Sequence, residues 1–309
     1  MRVIFIGQAP FGKDCLQALV NQGEEVVGVI TVPDVPGQKR PNPVKELAGE
    51  LSLPLFQPPR LRGEEVHSWV EGLAPDLLVL AFVTDIVARP IIELAALGAI
   101  NYHPSLLPKY RGASAINWAV ICGEKETGVT VHYIDEGIDT GDIILQEKVA
   151  IDPDDTVASL YFNKLYPLGV KLVAEAVRLI REGKAPRVPQ DHALASYQPP
   201  IQEKHTVIDW SQPAGRVYDL IRGSNPVPGA TTWLRGKKLK IWEARPWAGE
   251  SLPGTPGEII GFREGEGFLV ATGDGAILVQ RVQHAGEGKV AAAEFAGQVG
   301  LRPEERLGA

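Results

Sequence analysis

The sequence predicts an α/β protein: a Rossmann-like, mostly parallel sheet followed by a small OB-like β-barrel. Three observations carry this. Through residue 181, short apolar runs alternate with amphipathic stretches, the pattern of βαβ units. Between 185 and 200, four prolines fall among polar residues and mark a linker. Beyond it, short glycine-punctuated strands follow at close spacing, as in a small barrel. The expected division is 1–203, with a linker at 185–203, and 204–309.

The elements follow in order. Arg2–Gly7 is an apolar strand, Lys13–Asn21 a helix, Glu25–Thr31 a strand and Val44–Leu51 a helix. Glu64–Gly72 is helical, Leu77–Phe82 a fully apolar strand, Arg89–Leu97 a helix and Ala99–His103 a strand. Then come helix Ala113–Cys122, strands Val129–Asp135 and Ile143–Ile151, and a long helix Val157–Arg181. In the last part Trp210–Arg222 is helical. Ala230–Leu234, Leu239–Ala244, Gly257–Phe262, Gly267–Thr272 and Ala276–Val282 are strands.

The chain of 309 residues is 44% hydrophobic and 22% charged, an ordinary globular composition with ample core. The net charge of −7 argues against a general nucleic-acid coat protein. Residues 206–309 are balanced, with 12 Lys/Arg against 12 Asp/Glu, so the acidity lies upstream. No run approaches the length of a membrane span, and the N-terminus enters a strand with no signal-peptide core. Cys15 and Cys122 make no disulfide framework. A cytoplasmic monomer without a membrane partner is expected.

Several chemistries are excluded by pattern. Gly7-Gln8-Ala9-Pro10-Phe11-Gly12 is not G-x-G-x-x-G, and no acidic residue ends the second strand, so it is a tight strand-to-helix turn. His67, His132, His192, His205 and His284 show no ligand spacing. With no HExxH, paired CxxC, P-loop or G-x-S-x-G, a metal enzyme or serine hydrolase is not expected. Lys237-Lys238-x-Lys240, beside Arg235 and Trp233, reads as a solvated hairpin face, with a phosphate-contact role as the weaker reading.

The richest stretch runs from Asn101 to Trp118. Asn101 and His103 lie two apart at a strand end, on one face of the extended chain, where open α/β sheets place their chemistry. Pro104 and Pro108 stiffen the following loop, and Gly112 opens a helix whose first turn carries Ser114. Gly137-Ile138-Asp139-Thr140-Gly141-Asp142 lies between two strands. One carboxylate beside His103 would hold the imidazole's tautomer and raise its pKa. Asp139 and Asp142 are both candidates.

These residues resemble the folate-dependent formyltransferase family nearly end to end. Asn101-x-His103-Pro104-Ser105-Leu106-Leu107-Pro108 with Arg111-Gly112 resembles its core motif, and Ile138-Asp139-Thr140-Gly141 its acidic motif. Pro33-Asp34-x-Pro36-Gly37, Leu53–Pro58 and Ile208-Asp209-Trp210-Ser211 are similar to the methionyl-tRNA formyltransferase branch. Gly7-Gln8, Thr31–Asp34 and His103–Trp118 are similar to the hydrolase domain of 10-formyltetrahydrofolate dehydrogenase. Residue 101 is Asn, as in the transferases. The loop Val35–Arg40 is short, with only Lys39 and Arg40 as cations, where that of the tRNA enzymes is longer and more basic.

The resemblance implies a formyltransferase fold and formyl transfer from 10-formyltetrahydrofolate, without a metal, to an amine. The first acceptor implied is methionyl-tRNA, with folate and charged initiator tRNA as partners; the alternative is hydrolysis to formate. It implies Asn101, His103 and Asp139 as the catalytic trio and Asp142 as a structural carboxylate. The folate would lie against Phe82, Val83, Thr84, Asp85, Ile86, Ser105, Leu106, Leu107, Pro108 and Ile138. Asn101 and a protonated His103 would stabilise the oxyanion, the amide by on the order of 3 kcal/mol.

Overall fold

A computed structural model describes residues 1–37, 40–250 and 253–308. In chain order it contains β1 (Arg2–Gly7), α1 (Ala9–Asn21), β2 (Glu25–Ile30), α2 (Pro43–Glu50), β3 (Leu55–Phe56), α3 (Glu64–Leu73) and β4 (Leu77–Ala81). These lead to α4 (Arg89–Ile92), β5 (Ala99–His103), β6 (Arg111–Gly112), α5 (Ala115–Ile121), β7 (Glu126–Tyr133), β8 (Ile143–Ala150) and α6 (Val157–Leu160). After a π-helical turn come α7 (Tyr166–Arg181), β9 (Tyr197–Gln198), α8 (Ala214–Gly223), β10 (Ala230–Leu234), β11 (Lys237–Pro246) and β12 (Ile259–Arg263). The chain finishes with β13 (Gly267–Ala271), β14 (Ala276–His284), β15 (Lys289–Ala291) and α9 (Ala292–Val299).

The chain divides into two compact units. The first comprises Met1–Gly112, Gly128–Val149 and Asn163–Tyr197; the second comprises Ala113–Thr127, Ala150–Phe162 and Gln198–Ala309. The first holds a seven-stranded sheet in the order β3-β2-β1-β4-β5-β7-β8. β3 to β5 pair in parallel, and β7 runs antiparallel to β5. Parallel strands are buried on both faces and so read as unbroken apolar runs. Ile4, Ile6, Leu78 and Leu80 pack with Val66 and Val70 of α3 and with Ile91 of α4. Their neighbours Val3, Phe5, Leu77 and Val79 are fully buried and, by strand alternation, point to the opposite face.

In the second unit the strand order is β10-β11-β14-β13-β12, with β15 on β14. Arg306 bridges to Glu258 and Leu307 to Leu234, so the C-terminal segment ties β12 to β10. Trp210, Ile221, Ile241, Phe268, Ile277 and Phe295 fill the interior. Each such side chain contributes roughly 1.5–3 kcal/mol on burial. Trp210 also donates its indole N–H to Thr232 Oγ1 at 3.1 Å, so its one polar atom is satisfied.

Several elements differ from expectation. The helix expected over Arg89–Leu97 ends at Ile92; the chain continues in i→i−3 bonds from Leu94 and Ala95 and turns at Gly98, where φ is 77°. The long helix over Val157–Arg181 is interrupted by a π-turn at Tyr161–Leu165. Pro167 explains it: the ring lacks an N–H and cannot approach the carbonyl four residues back, so the turn widens before α7. The helix expected from Ala113 begins at Ala115, because Ser114 is left-handed at φ 61°. Its hydroxyl accepts the Ile201 N–H at 3.1 Å.

The proline-rich stretch after 185 is held down. Val188 exchanges backbone hydrogen bonds with Ile143 at 2.8 and 3.0 Å, and the Ser196 carbonyl accepts from Arg111 N at 2.8 Å. No helix of the described residues is long and apolar enough to cross a membrane.

Candidate active site

β5 carries Asn101 and His103 to its carboxyl end. Its antiparallel register with β7 sets Asn101 opposite His132 and His103 opposite Thr130. The loop after His103 is tied on all sides. Ser105 Oγ donates to the Lys109 carbonyl at 2.7 Å, and Thr130 Oγ1 donates to the Ser105 carbonyl at 2.7 Å. Gln146 Nε2 donates to the Leu107 carbonyl at 2.9 Å. This loop brings the Tyr110 carbonyl to 2.8 Å from His103 Nε2, so a proton on Nε2 is donated there and Nδ1 keeps its lone pair.

The β7–β8 connection turns tightly. Asp135 Oδ1 accepts the Gly137 N–H at 3.0 Å and the Thr140 hydroxyl. A Cβ on Gly141 would fall 1.9 Å from the Tyr133 carbonyl oxygen, so only glycine fits. Asp139 stands at φ 54°. Its Oδ2 accepts the Gly112 N–H at 2.9 Å and lies 3.4 Å from His103 Nδ1. Its Oδ1 lies 3.4 Å from both Asn101 Nδ2 and His132 Nε2. Asp142 is elsewhere, 3.9 Å from Arg187, so the choice between the two carboxylates falls to Asp139 on geometry.

Burial opposes ionisation of Asp139, yet His132, His103 and the Gly112 N–H outweigh it and lower the carboxyl to about 2. The carboxylate is therefore ionised at neutral pH. His103 goes the other way from expectation. Burial dominates and lowers its pKa, although Asp139 and the Tyr110 carbonyl pull upward. The side chain is only 6% exposed, so desolvation of the cation outweighs one carboxylate at 3.4 Å. The resting imidazole is neutral, and the protonated His103 expected as oxyanion partner is not the resting form.

The other predicted residues separate into two groups. Phe82, Ile86 and Ile138 are exposed apolar side chains, and Val83 and Thr84 accompany them at the end of β4. The Leu61 N–H holds Asp85 ionised, donating to Oδ2 at 2.8 Å, and Arg60 lies 3.5 Å away. Arg89 pairs with Glu136, joining the base of this loop to the Asp139 loop. Ser105 and Leu107, by contrast, are buried with the turn. Leu106 lies against Gly128, and the Pro108 carbonyl accepts the Ser196 N–H at 3.2 Å. Lys39, with Gln38, lies outside the described residues. Among the described residues, no group of three or more His, Cys, Asp or Glu is arranged to hold a metal.

Two family models match this chain: formyl transferase over residues 1–177, and the formyl transferase C-terminal domain over 200–299. The chain belongs to the formyl transferase family. It is 39% identical over 312 residues to the methionyl-tRNA formyltransferase of Desulforamulus reducens, covering 100% of this chain and 98% of that one. With the enzyme of the same name from Geobacter sulfurreducens it shares 41% over 313 residues, covering 100% and 97%. In fold it is similar to HypX from Aquifex aeolicus, solved with tetrahydrofolic acid. That likeness has a TM-score of 0.68 and 22% identity, over 99% of this chain and 48% of that one.

Two residues near Asp139 escape sequence reasoning. His132 looks like one of five scattered histidines. The usable signal is alternation in Val129-Thr130-Val131-His132, which sets Thr130 and His132 on one face of β7. Gln190 lies in the proline-rich stretch, where composition hides it.

Proposed function

We propose that this protein transfers the formyl group of 10-formyltetrahydrofolate to the amino group of methionyl-tRNA. Residues 1–203 are the catalytic domain, with the 185–203 segment as connector, and 204–309 the accessory barrel. The observation that carries the reading is the convergence of one amide, one neutral imidazole and one ionised carboxylate within 3.4 Å contacts at the end of β5. Apo contacts of this length tighten when substrate binds.

The acceptor amine attacks the formyl carbon, forming a C–N bond and placing charge on the formyl oxygen. Asn101 Nδ2–H donates to that oxygen. Neutral His103 takes the amine's proton at Nδ1, and Asp139 stabilises the imidazolium that forms. His103 returns the proton to the folate nitrogen as its bond to carbon breaks, leaving tetrahydrofolate and the formylated acceptor. The flat donor suits the exposed apolar Phe82, Ile86 and Ile138, with Val83, Thr84 and Asp85 beside them. The enzyme would work as a cytoplasmic monomer.

The test is transfer of labelled formyl from 10-formyltetrahydrofolate to charged initiator tRNA. Transfer that depends on enzyme is expected; formate release with no labelled tRNA would replace this reading with hydrolysis. His103→Ala should cut turnover by about 10²- to 10⁴-fold while folate still binds. Asn101→Asp should fail similarly, since an anion would face the developing oxyanion.

A further inference from the structure

The network behind Asp139 has a definite shape. Gln190 is 6% exposed, and its two amide hydrogens go to the carbonyls of Asp139 at 3.0 Å and Gly141 at 2.7 Å. Its Oε1 accepts from Arg111 Nε at 3.2 Å and Nη2 at 2.7 Å. Arg111 is itself 2% exposed; its Nη2 lies 3.1 Å from His192 Nδ1 and its guanidinium 5.6 Å from the Tyr197 ring centroid. The next residue, Gly112, donates its N–H to the Asp139 carboxylate at 2.9 Å. Adjacent residues of β6 thus grip both ends of Asp139: Gly112 the carboxylate, and Arg111, through Gln190, the backbone.

We propose that Gln190, braced by Arg111, is a positioning residue that sets the Asp139 carboxylate against His103. The inference rests on the role given to Asp139 above. Asp139 needs such a device because a left-handed aspartate is not its own lowest-energy state. A single glutamine amide bonded to two carbonyls two residues apart orients both peptides at once. The rigid guanidinium fork fixes which way that amide faces, since Oε1 must point to Arg111. Without the two donors the Asp139 peptide can rotate, the carboxylate leaves His103 Nδ1, and the imidazolium loses its counter-charge when it forms. Gln190 touches no substrate in this scheme and acts only through Asp139.

The experiment is a double-mutant cycle on the full-length enzyme, with formyl transfer from 10-formyltetrahydrofolate as the readout. Gln190→Glu keeps the partner of Arg111 but removes both donors. It should lower kcat by roughly 10- to 100-fold while KM for the folate stays within about twofold. In the Asp139→Ala background the same substitution should cost almost nothing more, because residues that act as a unit are not additive. Equal loss in both backgrounds, or a loss entirely in KM, overturns the proposal. If Asp139→Ala alone leaves turnover intact, the catalytic assignment itself falls, a distinct result. Should Gln190→Glu not fold, Arg111→Lys carries the cycle. It keeps the charge and loses the fork, and the same non-additivity is expected; additive loss overturns the proposal.

Discussion

At Asp139 the fold holds a non-glycine residue at φ 54° and surrounds its carboxylate with two histidines, an amide and a backbone N–H. The stability consequence has a definite sign. A carboxyl lowered from 3.8 to about 2 stabilises the fold at pH values above 3.8, and that contribution is lost as pH falls through 2. It amounts to about 2 kcal/mol. Asp139→Asn should therefore flatten the acid limb of the stability–pH curve in that window, measured by urea denaturation. It should also move His103 further down, since the anion that pulls its pKa upward is gone; NMR titration of the imidazole reads this directly. Gly141→Ala should cost about 1–3 kcal/mol in thermal or denaturant unfolding and remove most activity, because the new methyl meets the Tyr133 carbonyl. The i, i+2 pairing of Asn101 and His103 is legible in the sequence, because strand alternation is a local rule. Asp139 over Asp142 is legible only through the family motif Ile138-Asp139-Thr140-Gly141, while the partner role of His132 and the net direction of the His103 shift are not legible at all. These last two depend on burial and on residues far away in the chain.

Among the elements, α2 shows how a loop and a helix are joined. Asn42 caps it, accepting the N–H groups of Val44 at 3.1 Å and Lys45 at 3.3 Å, while its amide donates to Thr31 Oγ1 and the Val32 carbonyl, both at 3.2 Å. Asn42→Ala should destabilise by about 1–2 kcal/mol, because it uncaps the helix and frees the end of β2 together; equilibrium urea unfolding checks it. α7 meets the site strand closely. A Cβ on Gly169 would lie 2.5 Å from Tyr102 and 2.9 Å from Phe11, so this helix has a glycine where it crosses the rings. Strands and the longer amphipathic helices are legible from periodicity, with ends shifted by a few residues. The π-turn is less so: Tyr161–Leu165 keeps a helical pattern, and only Pro167, inside the expected helix, hints at the break. The early end of α4 likewise reflects the turn at Gly98, not a loss of apolar spacing.

At the scale of the whole molecule, the barrel's basic edge is partly neutralised from within. Lys238 lies 3.0 Å and Lys240 3.6 Å from Glu203, and Lys240 also donates to the Pro228 carbonyl at 2.7 Å. Lys237 is exposed. If this edge binds tRNA phosphate, Lys237→Gln should reduce the slope of log affinity against log salt by about 1, and Lys240→Gln by less, measured by filter binding across a salt series. Composition, strand–helix alternation and the two motif clusters suffice for the α/β class, the barrel that follows and the family, because these are local patterns that any window of chain displays. Tertiary structure alone decides that β6 braces Asp139 through a glutamine from a proline-rich stretch, that His132 joins the site, and that His103 rests neutral. The reason is that pairing across 51 or 79 residues of chain, and the desolvation of a single ring, arise only when distant segments pack together and exclude water.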